Sequence, residues 1–366
     1  MNKKRLEQTL IDLIRIQSTS GNEGAIADYV VHEFSKIGYR ASIDKEGNVY
    51  AEAGRGKKSL MFNAHLDTVP PHPGMKRPYE PAKRGRRVYG LGATDCKAGI
   101  ACIIELARSI PPEGKLKFLF TVREESSASG RPRGSISASK KHMADFCIVA
   151  EPTYKEKVPQ VAAGARGRTL LKIDVKGKSS HSSRPEDGVN AIEEAMKLFK
   201  KLEKVYLNKR RYHDVILHET LSVVNMEVKS TANNVIPDNC RITVDYRTLP
   251  GRKDALKVIK RLISEAGVKA KPHVVFSSPG YVLMNEIKPL GQLRSALHDE
   301  FGGAPVTSIA LGKADAEYFH RAGTKTVICG PGISRLCHSA DEYARVDLMA
   351  KWTTAVESFV KNYFNG

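Results

Sequence analysis

Seven acidic or histidine side chains stand where apolar runs of the sequence end. His65-Leu66-Asp67 follows the run Leu60–Ala64, Glu124-Glu125 follows Phe118–Val122, and Glu151 follows Cys147–Ala150. His338 lies just beyond Val327–Cys329 and a Gly330-Pro331-Gly332 turn, and Asp95 closes the glycine-rich stretch Gly90-Leu91-Gly92-Ala93-Thr94-Asp95. A single Glu after a strand is ordinarily a solvated loop residue, and a lone His is ordinarily a satisfied one. Ending several strands this way is a different matter. Carboxylates that converge repel one another unless they are protonated or neutralised by cations. Two histidines with three carboxylates form a mixed nitrogen and oxygen donor set suited to Zn²⁺, with Co²⁺ or Mn²⁺ as alternatives.

The elements that must position these groups follow from periodicity. Leu6, Leu10, Leu13 and Ile14 repeat at helical spacing, and the pattern stops near Ser18-Thr19-Ser20-Gly21. Ile26, Tyr29, Val30, Phe34 and Ile37 predict a second helix, and Ala41–Ile43 with Asn48–Glu52 predict a hairpin around Asp44-Lys45-Glu46-Gly47. Short apolar strand runs at Ser59–Ala64, Leu116–Val122, Phe146–Ala150 and Thr326–Cys329 alternate with helical patterns such as Ala98–Ser109. That alternation predicts an α/β fold with a largely parallel, helix-covered sheet. Such sheets place their sites beyond the carboxyl ends of the strands, so the acidic and histidine groups should meet on one rim.

The middle of the chain reads differently. Strand patterns at Thr169–Lys176, Leu221–Val228, Cys240–Thr248 and Val274–Phe276 enclose helical patterns at Gly188–Tyr206 and Asp254–Ala266. The order β-α-β-β-α-β is that of a ferredoxin-like unit. It predicts a domain at 166–276 inserted into a catalytic domain built from 1–165 and 277–366.

Length, composition and charge narrow the function classes. The 366 residues are 41% apolar and 27% charged, which excludes a disordered or collagen-like chain. No apolar stretch approaches the ~18 residues of a membrane span, and the N-terminus enters a helical pattern without a signal-peptide core. Cys96, Cys102, Cys147, Cys240, Cys329 and Cys337 form no Cys-x-x-Cys pair and read as small buried side chains. A cytoplasmic protein without membrane association is the expectation. The net charge of +19 fits an acidic protein partner or acidic small substrates as well as nucleic acid. The basic runs Lys83-Arg84-Gly85-Arg86-Arg87 and Lys209-Arg210-Arg211 lack interleaved stacking aromatics and any accompanying nucleic-acid motif. A solvated basic surface accounts for them, and nucleic acid is not the expected partner.

Taken together, the segments His65-Leu66-Asp67-Thr68-Val69-Pro70, Gly90–Gly99, Glu124-Glu125, Glu151-Pro152-Thr153 and Cys337-His338-Ser339-Ala340-Asp341-Glu342-Tyr343 resemble the successive motifs of the M20 metallopeptidase/aminoacylase family. The branch they are most similar to is acetylornithine deacetylase/succinyl-diaminopimelate desuccinylase. The resemblance implies two divalent metal ions, with zinc first and cobalt or manganese as alternatives. Asp95 would bridge them, His65 and Glu151 would complete one, and Glu125 and His338 the other. Asp67 would orient His65 by hydrogen bonding its far nitrogen. Glu124 would be the general base for the attacking water.

The inserted domain would act as lid and dimerisation domain. Gly177-Lys178-Ser179-Ser180-His181-Ser182-Ser183-Arg184-Pro185 resembles the segment whose His reaches a dimer partner's site to stabilise the oxyanion. By the same resemblance Asn234 assists substrate binding and Arg247 grips a substrate carboxylate through its planar fork. The Gly330-Pro331-Gly332 turn itself offers backbone amides, Gly332 among them, suited to a second carboxylate contact. Leu91, Cys96 and Ala98 depart from the family's usual Arg, Met and Gly around Asp95. Lys313, in Leu311-Gly312-Lys313-Ala314-Asp315, stands where a Gly-Gly-Thr-Ser-Asp-like segment is usual, and if it faces substrate the group it meets differs from the common ones. The only Trp is Trp352, so the Trp often found after the His-x-Asp motif is missing.

The activity implied is removal of an N-acyl group, acetyl or succinyl, from an amino acid or diamino acid. The alternatives are a metallo-carboxypeptidase or dipeptidase, a hydrolase releasing lysine or ornithine from an acidic amino-group carrier protein, and a basic binding protein on a former hydrolase scaffold. The intact set His65, Asp95, Glu124, Glu125, Glu151 and His338 argues against the last of these.

Overall fold

The computed structural model describes residues 1–111, 114–125, 133–155, 158–203, 208–228, 232–312 and 314–365. The chain divides into two compact units. The larger takes Met1–Gly164, Leu283–Ser308 and the chain from Ala314 onward; the smaller takes Ala165–Val282 and a short segment from Ile309.

In the larger unit the sheet runs in the order Ala41–Ile43, Val49–Ala53, Lys115–Thr121, Ser59–His65, Phe146–Tyr154, Lys325–Ile333, Val161–Ala165. Its four central neighbours are parallel, and the strands flanking them are antiparallel. Every residue of Ser59–His65 is buried, as expected of a parallel strand covered on both faces. Helix Lys3–Arg15 buries Leu6, Leu10, Leu13 and Ile14, the stripe its spacing predicts, and Asn2 caps it by accepting the N–H of Arg5. Helix Ala98–Ser109 is buried almost all round, and helix Val346–Asn365 brings Trp352, Val356, Phe359 and Tyr363 into the same core.

One local expectation changes. Gly330-Pro331-Gly332 is not a turn: the strand Lys325–Ile333 runs through it, with breaks in register opposite Pro152 and Tyr154. The glycines allow a close approach. A Cβ at Gly330 would stand 2.3 Å from the carbonyl oxygen of Ala150, and one at Gly332 2.3 Å from that of Thr94. Its neighbour Phe146–Tyr154 likewise continues past Ala150, so Glu151 lies within a strand and not after it.

The smaller unit has the β-α-β-β-α-β order, with sheet order Thr220–Val228, Asn239–Thr248, Gly167–Lys176, Ala270–Ser278, all antiparallel. Burial alternates along Gly167–Lys176. Leu171, Ile173 and Val175 pack with Ala195, Leu198 and Leu202 of helix Ala191–Leu202 and with Ile259 and Leu262 of helix Ala255–Ala266. Period-2 strands covered by period-3.6 helices on one face give this unit its own core.

Candidate metal centre

Parallel register brings the strand ends level. His65 pairs with Thr121, and Asn63 pairs with Val149, which puts His65 and Glu151 two residues further along adjacent strands. Beyond Thr121 the chain turns at Arg123, whose φ of 58° lies in the left-handed region. Arg123 is held there by its N–H to Glu23 Oε1 (3.0 Å) and by its guanidinium to the carbonyl and Oε2 of Glu46. Glu124 and Glu125 follow. His338, on the loop after Lys325–Ile333, also adopts a positive φ, 62°. Strained backbone of this kind gathers at functional sites.

These residues meet. His65 Nε2 lies 3.0 Å from Asp95 Oδ1 and 3.7 Å from Glu151 Oε1. His338 Nε2 lies 2.8 Å from Glu125 Oε1 and 3.6 Å from Asp95 Oδ2. One donor atom each from His65, Asp95 and Glu125 falls within a 4.8 Å span. Asp95 therefore presents one oxygen to each of two histidine–glutamate pairs. The peptide between Asp95 and Cys96 is cis.

The far nitrogen of His65 is held differently from the expectation. Nδ1 donates to the main-chain carbonyl of Asp67 at 2.8 Å, while the Asp67 carboxylate stands at 3.5 Å. That carboxylate accepts instead from Ser20 Oγ (2.6 Å) and from the N–H groups of Glu124 (2.9 Å) and Glu125 (3.0 Å). Burial pushes the Asp67 carboxyl up, but His65, Ser20 and these amides hold it down at about 2. It fixes the chain that carries both glutamates. The Ser18-Thr19-Ser20 segment, read from sequence only as a helix stop, forms a parallel bridge to Thr68 and reaches this carboxylate.

Glu342, which the motif pattern leaves without a role, supports the metal site from behind. Its carboxylate accepts the N–H groups of Gly92 (3.0 Å), Thr94 (2.9 Å) and Asp95 (3.1 Å), and so supports the loop beneath Asp95. Arg133, also missed, donates to Glu124 Oε1. Its position after Glu124 carries no spacing signal.

The charge balance fits divalent cations. Burial, with repulsion from Asp95, pushes the Glu151 carboxyl well above the usual range. Burial pushes Glu124 up to about 8 against the pull of Arg133, with Asp315 and Glu125 adding repulsion. The hydrogen bond that His338 donates to Glu125 and the charge of Asp95 raise His338 to about 9, because the cluster favours positive charge there, whether proton or metal cation. With Nδ1 of His65 donating to a carbonyl, Nε2 keeps its lone pair for a ligand.

The remaining predicted residues stand as follows. Gly332 is buried in the larger unit beside Thr94. In the smaller unit His181 is exposed on a two-stranded ladder with Val235, its Nδ1 2.7 Å from Ser183 Oγ and its Nε2 3.4 Å from Asn234 Nδ2. Arg247 lies opposite Arg168, and both guanidiniums bond Asp245. Lys313 lies outside the described residues. Five of the six cysteines are buried and Cys337 is half-buried, all of them free. Among the described residues no helix is long and apolar enough to cross a membrane.

Known proteins share both the sequence and the fold. An acetylornithine deacetylase from Buchnera aphidicola is 27% identical, covering 98% of this chain and 97% of its own. A succinyl-diaminopimelate desuccinylase from Wolbachia pipientis is 26% identical, covering 96% and 92%. Among solved structures, a tripeptidase from Staphylococcus aureus superposes with a TM-score of 0.81 at 23% identity over 100% of both chains. An M20 family metallo-carboxypeptidase from Sulfolobus solfataricus gives 0.80 at 19%, also over 100% of both, and both structural likenesses concern the fold. The sequence pattern of peptidase family M20/M25/M40 matches residues 61–362, a span that holds every residue of the acidic and histidine cluster. The chain belongs to that family and is a metal-dependent hydrolase of carbon–nitrogen bonds.

Proposed function

We propose that the protein is a dinuclear-metal amidohydrolase that removes an N-acetyl or N-succinyl group from an amino acid or diamino acid. The observation that carries this reading is the division of the Asp95 carboxylate between His65 and His338. Asp95 would bridge two cations, with His65 and Glu151 on one and Glu125 and His338 on the other. When bound, the cations, zinc with cobalt or manganese as alternatives, supply Lewis acidity for activating water and polarising the amide carbonyl. Glu124 takes the proton of the attacking water and returns it to the leaving amine nitrogen. The Asp67 carbonyl fixes the His65 ring, and the Asp67 carboxylate fixes the main chain of Glu124 and Glu125.

The smaller unit would serve as lid and dimerisation domain, with 166–276 inserted between the two parts of the catalytic domain. Its edge strands Thr220–Val228 and Ala270–Ser278 expose Val224, Met226, Val274 and Val275, which supports pairing with a second copy. His181 would donate to the oxyanion of the partner's site, Asn234, Gly332 and Lys313 would contact substrate, and Arg247 would bind its carboxylate. The pairing of Arg247 with Asp245 leaves its guanidinium to be shared or released when substrate arrives.

The test is to reconstitute the purified protein with Zn²⁺ or Co²⁺ and follow amine release from N-acetylornithine, N-succinyl-diaminopimelate and dipeptides. Release from the N-acyl substrates, abolished by chelation and by Glu124→Gln, supports the reading. Full activity in a verified metal-free preparation overturns it, and turnover of dipeptides alone makes the protein a peptidase. The charge of +19 favours one further substrate, an amino group carried on an acidic protein. That activity would fall steeply with salt, whereas turnover of a free N-acyl amino acid would not.

A further inference from the structure

Arg133 is half-buried against two carboxylates. Its Nη1 donates to Oε1 of Glu124 and lies 3.8 Å from Oδ1 of Asp315. Asp315 is 1% exposed; its Oδ1 accepts the hydroxyl of Ser135 at 2.5 Å, and its Oδ2 has no hydrogen-bond partner among the described residues. A chain of contacts thus runs from Ser135 through Asp315 and Arg133 to Glu124. Glu124 is gripped at both ends, its main-chain N–H by Asp67 at 2.9 Å and its Oε1 by Arg133. The other carboxylate oxygen, Oε2, takes part in neither of these two contacts.

A triad of two buried anions and one half-buried cation is a poor source of stability, because desolvating the charges offsets most of their attraction. Its geometry suits another purpose. A carboxylate that must meet a proton at one atom gains from having its other oxygen fixed, since a misplaced base loses much of its effect. We propose that Arg133 is a positioning residue for Glu124: backed by Asp315 and Ser135, it fixes the carboxylate by Oε1 and leaves Oε2 as the atom that takes the proton of water. This rests on the reading of Glu124 as general base. The contacts themselves lie within the larger unit and need no ligand to be seen.

The experiment compares the zinc-loaded wild type with Arg133→Ala, Arg133→Lys, Asp315→Asn and Glu124→Gln. Metal content, thermal midpoint, kcat and KM are measured with N-acetylornithine and N-succinyl-diaminopimelate. Arg133→Ala should lower kcat by about 10–100-fold, the size usual for a group that orients a site residue from behind. Its KM should stay within about threefold of wild type, since no substrate contact is removed. Metal content should be unchanged. Arg133→Lys should recover part of the loss, and millimolar guanidinium should restore part of kcat to Arg133→Ala but none to Glu124→Gln. Asp315→Asn should fall in the same direction by less. Wild-type kcat in Arg133→Ala beside an inactive Glu124→Gln overturns the inference alone, as does a rise in KM at unchanged kcat, which would make Arg133 a substrate contact. An active Glu124→Gln overturns the base assignment itself. If Arg133→Ala fails to fold, wild-type kcat in both Arg133→Lys and Asp315→Asn rejects the proposal.

Discussion

Glu342 Oε1 accepts the main-chain N–H of Asp95 at 3.1 Å, across 247 positions of sequence. With Gly92 and Thr94 bonded to the same carboxylate, one side chain supports three amides of the loop that aims Asp95. Glu342→Ala should weaken metal binding by about 10–100-fold, as losses behind metal ligands usually do. Titration calorimetry with Zn²⁺ on the variant and wild type checks this. Wild-type affinity would make Glu342 a packing residue only.

Asp95→Ala removes a carboxylate that faces both histidines. Elemental analysis after dialysis should show both ions depleted, whereas Glu151→Ala or His338→Ala should chiefly deplete one. Loss of a single ion from Asp95→Ala would argue against a shared ligand.

The trans role of His181 makes a distinctive prediction. His181→Ala alone should lower kcat by ~10²–10³-fold, the cost of one oxyanion donor. Mixing it with inactive Glu124→Gln under subunit exchange creates a dimer with one site free of both defects, so activity should partly return. Confirmed exchange without recovery, or a fully active monomer, would leave His181 as a turn residue bonded to Ser183.

Gly330→Ala tests the close approach of two strands. The new Cβ would sit 2.3 Å from the Ala150 carbonyl oxygen and 2.4 Å from that of Glu151, both main-chain atoms that cannot swing aside. A loss of about 1–3 kcal/mol in denaturant unfolding is expected, the usual cost of overpacking. Gly24→Ala, with nothing within 4 Å of its Cβ, should lose none.

Acid stability should depend on Arg5. Burial alone would raise the Glu105 carboxyl, but the Arg5 guanidinium, the N–H of Asn2 and the charge of Arg108 bring it below its ordinary 4.5. A folded pKa lower than the unfolded one gives stability that is complete above 4.5 and is lost as pH falls through the lower folded value. Arg5→Ala should therefore cost about 1–3 kcal/mol at pH 7, the range for hydrogen bonds to charged groups. The difference from wild type should shrink as the pH drops below 4.5. A difference that stays constant to low pH would place the loss in packing.

The sequence by itself determined many of the elements and their order. The Leu6-Leu10-Leu13-Ile14 stripe, the helix Ala98–Ser109, the buried strand before His65 and the β-α-β-β-α-β order are all present in the structure, because hydrophobic periodicity is a local property of the chain. The convergence of His65, Asp95, Glu125, Glu151 and His338 was also legible, since parallel strands expose their carboxyl ends on one rim.

Only the tertiary structure decided who holds these groups. The Gly330-Pro331-Gly332 composition reads as a turn until Ala150 and Thr94 are seen against it. The support of Asp95 by Glu342, and of the Glu124 and Glu125 amides by the Asp67 carboxylate, joins segments whose spacing carries no pattern. A hydrogen bond is specified by atoms within about 3 Å and a narrow angle, and segments far apart in sequence come that close only once the core has packed.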